Sequence, residues 1–332
     1  MMEQTTAKLG SHNGLLIVTP IFNDWEAFEL LLDALDASLQ ADNLEVDILA
    51  IDDGSSRPFC GLKQINRFKA IRHLEILELA RNLGHQRAIA VGLAYVEANK
   101  PCEAVIVMDS DGEDDPKEVP RLVQAYKRQA ESKVIFALRT RRSESRTFRI
   151  FYVLYKGIYY LLSGSKVRVG NFSIIPCAML KRLVVVSEIW NHYAAGILKA
   201  KIPYAEIPTA RGRRLAGRSR MNFVSLVMHG LGAISVHGDI IGVRALLATL
   251  GLITISIVAI AIVIIIRTAT TYAIPGWAST LVTSFFIILM QAVMIVLLFA
   301  FMILNGRSNL GFLPRRDYSH FVIGLKKIFP KP

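Results

Sequence analysis

Cysteine is scarce in this chain and unclustered: Cys60, Cys102 and Cys177 lie far apart and no C-x-x-C occurs. That spacing suggests neither a zinc site nor a disulfide framework, and three reduced thiols suit a cytosolic domain. Two nucleotide-binding signatures are missing as well. The first apolar run, "GLLIVTP", leads into "TPIFND" rather than G-x-G-x-x-G, which argues against a dinucleotide site; no G-x-x-x-x-G-K-[ST] appears, which excludes a P-loop nucleotidase. There is no DNA- or RNA-binding signature and no internal repeat. The formal net charge of +12 therefore does not imply nucleic acid, because anionic lipid and phosphate-bearing substrates attract the same side chains. "MMEQTTAKLGSHNG" lacks an apolar core, so residues 1–13 read as a disordered lead rather than a signal peptide.

Two long stretches lack charge altogether. Residues 245–266, between Arg244 and Arg267, carry none, and neither does the run from Thr268 to Gly306. A helix of 22 residues is about 33 Å long, enough to cross the hydrocarbon core, and buried soluble helices rarely run so far without a polar face. Two transmembrane helices are expected, over 245–266 and 280–304. The tail, residues 305–332, holds six Lys/Arg against one Asp, and the segment before the first span is Arg-rich. Positive flanks stay inside, so both termini and the soluble domain are expected on the cytoplasmic side of the inner membrane. "FVSLVMHGLGAISVHGDIIGV", within residues 222–243, is apolar but broken by Gly and His and reads as a juxtamembrane amphipathic segment. The aromatic helix "RTFRIFYVLYKGIYYLLSG" is either core or a helix near the bilayer interface.

What the soluble part does contain is alternation. β-rich runs ("GLLIVTP", "LEVDILAID", "IRHLEILELA", "CEAVIVMD", "SKVIFAL") are separated by helical spacings, one of them opened by Asp24 at a cap position. Strand and helix in alternation imply a mostly parallel sheet with helices on both faces, which binds ligands at the carboxyl ends of its strands. The chemistry-bearing loops fall there. "DSDGEDD" places five acids in the seven positions from Asp109 to Asp115. Asp109 and Asp111, two apart in a turn, can converge on one hard cation, with Glu113 placed to add an oxygen or an outer-shell contact. Mg²⁺ typically takes one or two carboxylates plus substrate phosphates. Taken alone, such a pair is more often a solvated loop. A second pair, Asp52 and Asp53 in "IDDGSS", ends a neighbouring strand and can accept from a nucleobase or ribose; its plain alternative is a capped turn.

Strand–"TPIFND", strand–"IDDGS", "RNLGHQ" and strand–"MDSDGEDDP" together resemble the family 2 glycosyltransferases with a GT-A fold. A G-N-F after the aromatic helix, then "RLAGRSR", then two spans narrow the resemblance to the polyprenyl-phosphate glycosyltransferases, relatives of dolichol-phosphate mannose synthase. It covers Leu15 to about Leu304 and implies a GT-A domain over 14–221. It implies that Pro20, Phe22 and Asp24 border the nucleoside and that Asp52 and Asp53 contact base or ribose. Asp109, Asp111 and Glu113 would hold Mg²⁺ or Mn²⁺ on the diphosphate. Arg139 and Arg149 would face the donor and acceptor phosphates, and Arg214, Ser219 and Arg220 would form the loop that closes over the diphosphate, with Arg220 where relatives have Lys. Asn171 departs from the Asp common at its position and cannot take a proton; His192 and Glu188 are nearby substitutes, though a lone His there, like His85, is more often structural.

The function implied is inverting, metal-dependent transfer of a sugar from a UDP- or GDP-sugar to a polyprenyl phosphate at the cytoplasmic membrane face. Its partners are the nucleotide sugar, the lipid phosphate and membrane lipids; a flippase and a second copy of the chain stay open, and nucleic acid is not expected. A processive polysaccharide synthase would need Q-x-x-R-W and more spans, neither of which is here. Transfer to a lipid hydroxyl, which needs a base, and a silent membrane scaffold are the remaining alternatives.

Overall fold

The computed structural model describes residues 14–61, 68–129, 132–139, 157, 159–164, 169–217, 223–270, 276–308 and 311–330. The chain divides into two units: residues 1–151, 167–236 and 311–332 form the first, residues 152–166 and 237–310 the second.

In the first unit the apolar runs become strands and the helical spacings become helices in the expected order. They are β1 (Leu15–Ile21), α1 (Trp25–Ala41), β2 (Val46–Asp52), β3 (Ile71–Leu79), α2 (His85–Asn99), β4 (Ala104–Val107), α3 (Val119–Arg128) and β5 (Val134–Arg139). Next come β6 (Ser173–Pro176), α4 (Cys177–Leu183), α5 (Tyr193–Lys199), β7 (Tyr204–Thr209) and α6 (Phe223–Ser235). The strands pair in the order β7-β5-β6-β4-β1-β2-β3 and then one more, β8 (Val322–Phe329). β1 and β4 are buried at every position, which is why they read as continuous apolar runs rather than as alternation. Alternate residues of β1 nevertheless enter different cores. Leu15, Ile17 and Ile21 pack with Phe28 and Leu31 of α1 and Leu122 of α3; Leu16 and Val18 pack with Ile89 and Leu93 of α2 and Tyr193 of α5. Helices thus cover both faces.

The sheet is parallel in four of its seven pairings, with the antiparallel strands β6 and β8 making it mixed. β1–β2, β1–β4, β2–β3 and β5–β7 are parallel, whereas β6 runs against both β4 and β5, and β8 against β3. The stretch 305–332, expected to be only a basic tail, supplies both a short helix (Pro314–Asp317) and β8. Val322 and Leu325 of β8 pack on one core, Ile328 and Phe329 on the other. Cys102 and Cys177, expected to be reduced, are paired in a disulfide. The antiparallel register Ala104↔Pro176 brings the flanks of β4 and β6 together, a closeness that 75 residues of separation hide in the sequence.

In the second unit lie α7 (Gly238–Ala269) and α8 (Trp277–Ser308), each 32 residues long. The expected spans 245–266 and 280–304 fall inside them, and Gly238–Val243, expected in the juxtamembrane segment, forms the first turns of α7. Only 17% and 6% of their most apolar windows are buried, so these are not core helices of a soluble domain. Ile255, Ile257, Leu297 and Phe301 are exposed, an outward apolar surface that water does not tolerate and lipid does. Two candidate membrane spans result. Most of the aromatic helix expected before them, 146–164, lies outside the described residues.

Candidate active site

The strand order reverses at β1, with β2 and β3 to one side and β4 to the other, and the carboxyl ends of these strands meet at that crevice. Met108 N–H donates to Val18 O (3.2 Å) and Asp53 N–H to Ile21 O (2.8 Å), so the acidic loops after β4 and β2 both leave the sheet beside the end of β1.

The loop after β4 is held by its own carboxylates. Asp114 Oδ2 accepts from Asp109 N–H and Asp111 Oδ1 from Glu113 N–H, each at 2.9 Å, while Gly112 takes a left-handed conformation (φ 85°). Asp114 is buried, and its other oxygen accepts from Arg139, the last residue of β5, at 2.7 Å. Burial, then the charge of Asp109, push the Asp114 carboxyl up to about 7 against the pull of Arg139. Asp114 therefore fixes both the backbone of Asp109 and the guanidinium of Arg139, which reaches Asp109 Oδ2 at 4.0 Å. Sequence reasoning assigned Asp114 no role; its only cue was membership of the acidic run, and burial, which gives it the role, is a tertiary fact.

A second loop lies on the first. Gly212 N–H donates to Glu113 O (3.0 Å) and Leu215 N–H to Asp111 O (2.9 Å). A Cβ on Gly112 would sit 2.5 Å from Leu215 Cγ, so glycine is needed there both for φ and for the approach. This apposition delivers two arginines. Arg211 pairs with Glu113 (2.5 Å), and Arg214 bridges Asp111 Oδ2 (2.7 Å) and Asp24 Oδ2, with its Nε donating to Ala216 O (2.9 Å).

Glu113, expected as a third oxygen or an outer-shell contact, faces arginines. Glu113 is committed to Arg211 and lies 3.9 Å from Arg139, and among the described residues no three His, Cys, Asp or Glu side chains make a ligand cluster. Asp109 and Asp111 remain as hard oxygen donors. Burial, and after it the charge of Asp109, raise the Asp111 carboxyl; two hard carboxylates are a donor set that fits a divalent cation keeping its waters.

At the end of β1, Asp24 precedes α1 but makes no side-chain cap, because its carboxylate is spent on Arg214. Pro20 is buried in β1, in register with Ile51, and Phe22 is 39% exposed beside the crevice. Asn23 N–H donates to Ser55 Oγ (2.8 Å), tying this loop to the one after β2, where Asp52 accepts from Ser55 N–H (2.9 Å). Asp53 turns away to accept from Leu83 N–H (2.7 Å) and Gly84 N–H (2.9 Å), which fixes the entry to α2. Burial pushes its carboxyl up to about 6, against those two N–H groups. The folded state thus holds this proton to higher pH than the ordinary 3.8, so the group favours folding most below pH 3.8 and loses that contribution as pH rises to about 6. Asp53→Asn cannot titrate. The melting temperature of wild type minus that of the variant is expected to fall between those limits, by an amount equivalent to at most ~3 kcal/mol; a flat difference would contradict the placement.

Asn171, just before β6, sits in a chain of side chains. Tyr193 N–H donates to Gln86 Oε1 (2.6 Å), so the Gln86 amide must point its NH₂ at Asn171 Oδ1 (3.2 Å), which leaves Asn171 Nδ2 facing His85 Nε2 (2.9 Å). That same ring nitrogen lies 3.0 Å from Asp109 Oδ1. Gln86 closes the "RNLGHQ" motif, but no role was expected of it from the sequence. His192 is buried and caps α5, accepting from Ala195 N–H (3.3 Å), and Glu188 pairs with Lys199 (3.2 Å). Arg149, Ser219 and Arg220 lie outside the described residues.

Acids and arginines converge at the switch point of a mixed α/β sheet, and comparison with known families assigns the chain a class. The model of glycosyl transferase family 2 matches residues 16–186, and the chain belongs to that family, as an enzyme of the GT-A class. Its relatives include an uncharacterized glycosyltransferase, YkcC, of Bacillus subtilis, 23% identical over 82% of this chain and 84% of the relative. An undecaprenyl-phosphate 4-deoxy-4-formamido-L-arabinose transferase of Erwinia tasmaniensis is 24% identical over 68% and 67%; the enzyme of that name from Salmonella dublin is 32% identical over 32% of each chain. Among solved structures, glucosyl-3-phosphoglycerate synthase of Mycobacterium tuberculosis, in complex with Mn²⁺ and UDP-glucose, superimposes with a TM-score of 0.48 at 14% identity over 70% of this chain and 80% of that one.

Proposed function

We propose that this glycosyltransferase moves a sugar, with inversion, from a nucleotide diphosphate sugar (UDP- or GDP-linked) to a polyprenyl phosphate at the cytoplasmic face of the inner membrane. The observation that carries the choice of acceptor is the state of the three candidate bases. Asn171 is an amide fixed between Gln86 and His85, His192 caps a helix, and Glu188 is paired with Lys199. An alcohol acceptor needs a placed base. A phosphate monoester, with a second pKa near ~6, is already largely dianionic and needs only orientation and charge balance. The undecaprenyl-phosphate 4-deoxy-4-formamido-L-arabinose transferases among its relatives support the same acceptor.

In this mechanism an oxygen of the lipid phosphate attacks the anomeric carbon while the bond from that carbon to the nucleoside diphosphate breaks on the opposite side. Arg214 and Arg139, with Arg149 and Arg220, neutralise the phosphates, and Asp52 with the loop from Pro20 to Asp24 and Ser219 borders the nucleoside. A divalent cation held by Asp109 and Asp111 would supply further neutralisation of the departing diphosphate. Placement of both termini on one side of the membrane is supported by β8, because the chain leaves the first unit after Val236 and re-enters it at Gly311, an even crossing of the two candidate spans; the choice of the cytoplasmic side rests on the basic flanks. A flippase that consumes the lipid-linked sugar and a second copy of the chain are partners consistent with this role.

The test is a screen of radiolabelled nucleotide sugars against polyprenyl phosphate in membranes, with mass spectrometry of the lipid. A sugar–phosphate–polyprenol that releases its sugar in mild acid is expected. His192→Ala is expected to keep turnover within a few-fold of wild type and to cost ~1 kcal/mol of stability, as a lost helix cap does. A glycoside stable to mild acid and alkali, together with a folded but dead His192→Ala, would replace the lipid phosphate by a lipid hydroxyl; no transfer from any donor would favour the scaffold.

A further inference from the structure

Every nitrogen of the Arg214 guanidinium has a partner within the acidic site. NH1 donates to Asp111 Oδ2, NH2 to Asp24 Oδ2 and Nε to Ala216 O, with the side chain only 18% exposed. Two main-chain hydrogen bonds, Gly212 N–H to Glu113 O and Leu215 N–H to Asp111 O, hold the loop that carries it, and the packing of Leu215 against Gly112 fixes the register. The arginine thus has one carboxylate partner that belongs to the cation site, Asp111, and one that does not, Asp24.

From this we infer that Arg214 is the resident counter-cation of the site, that a divalent ion and Arg214 compete for Asp111, and that Asp24 is a positioning residue which retains the guanidinium when Asp111 is given up. The proposal rests on the reading of Asp109 and Asp111 as cation ligands. Two positive groups on one carboxylate repel, so the ion alone meets an occupied site. A nucleoside diphosphate changes the balance because it brings negative charge for both cations at once: the ion keeps Asp111, and Arg214, still tethered through Asp24, has phosphate oxygens to turn to. The fork geometry matters, since a planar guanidinium spans two carboxylates where an ammonium meets one. Cation and nucleotide should then bind with strong mutual dependence.

The test measures Mn²⁺ binding to the full-length protein in detergent by electron paramagnetic resonance, without nucleotide and then with UDP or GDP. Arg214→Ala is expected to tighten binding of Mn²⁺ alone by roughly tenfold or more, because a like charge has been removed from ion-pair range. The same variant should weaken nucleotide binding in the presence of Mn²⁺. Opposite signs in one variant are not produced by damage to the loop, which would weaken both. Arg214→Gln, closer in shape, should give the same pair of signs and guards against misfolding of the alanine variant. Asp24→Asn should leave Mn²⁺ alone without any tightening and lower kcat more than it raises KM for the donor, with Asp24→Glu restoring turnover. Unchanged or weaker Mn²⁺ binding in both Arg214 variants would overturn the competition, and normal turnover in Asp24→Asn would overturn the positioning role. Either result leaves the proposed reaction standing if sugar transfer is seen; absence of transfer with the expected Mn²⁺ shifts would sink the reaction and keep the inference.

Discussion

Asp111→Asn is expected to lower turnover by two to three orders of magnitude while leaving a folded protein. Its two oxygens do different things: Oδ1 accepts from Glu113 N–H within the loop, and Oδ2 meets Arg214. An asparagine oxygen can replace the first, so the turn survives. The negative charge that, in the proposed reaction, would hold a cation against the diphosphate does not. Removing one group that stabilises transition-state charge in a closed site costs about 2.7–4 kcal/mol, or 10²–10³ in rate. Initial rates across a Mn²⁺ titration, with circular dichroism as the check on folding, decide it. Turnover within tenfold of wild type, or full wild-type activity in excess chelator, would remove Asp111 from the reaction.

Truncation after Leu310 is the second large effect. It deletes β8, whose Val322, Leu325, Ile328 and Phe329 pack on the two cores and whose backbone pairs with β3 from Leu74 to Leu79. Four half-buried side chains at about 1 kcal/mol each give roughly 4 kcal/mol, a large share of the ~5–15 kcal/mol that holds a domain together. The deletion also bares the long β3 edge. The truncated protein is expected to be recovered mainly as aggregate, with any soluble fraction melting well below wild type. A monodisperse truncated enzyme with an unchanged melting curve would show that β8 is dispensable. Leu325→Asp, which spares the backbone pairing, should reproduce part of the loss, about 2 kcal/mol.

What the sequence reveals about this molecule divides along physical lines. β1 and β4 are legible because full burial writes itself as an apolar run, β3 because its buried positions recur among polar ones, and α7 and α8 because their apolar residues run on all sides, as lipid demands of a span. The acidic pairs stand out because a carboxylate at a strand end is costly without a reason. β8 stays hidden: "VIGLKKIF" carries two lysines, as an edge strand can, and it reads as a basic tail beside a membrane. The Cys102–Cys177 pair is hidden because only the antiparallel register of β4 and β6 reveals it. In the site, Asp109, Asp111, Asp24 and Arg214 were picked out by resemblance and the structure brings them together, whereas the work of Asp114, Gln86 and Arg211 depends on which side chain faces which, and no spacing encodes that.

Because β8 follows α7 and α8 in the chain, a ribosome finishes the sheet last. Seven strands and both candidate spans have been made before the strand that closes the β3 edge exists. During that interval the half-built domain offers an open edge, with the two candidate spans lying in the chain between that edge and its missing partner. An open edge of this kind invites pairing with another chain, so closure of the sheet is the last protective step of synthesis.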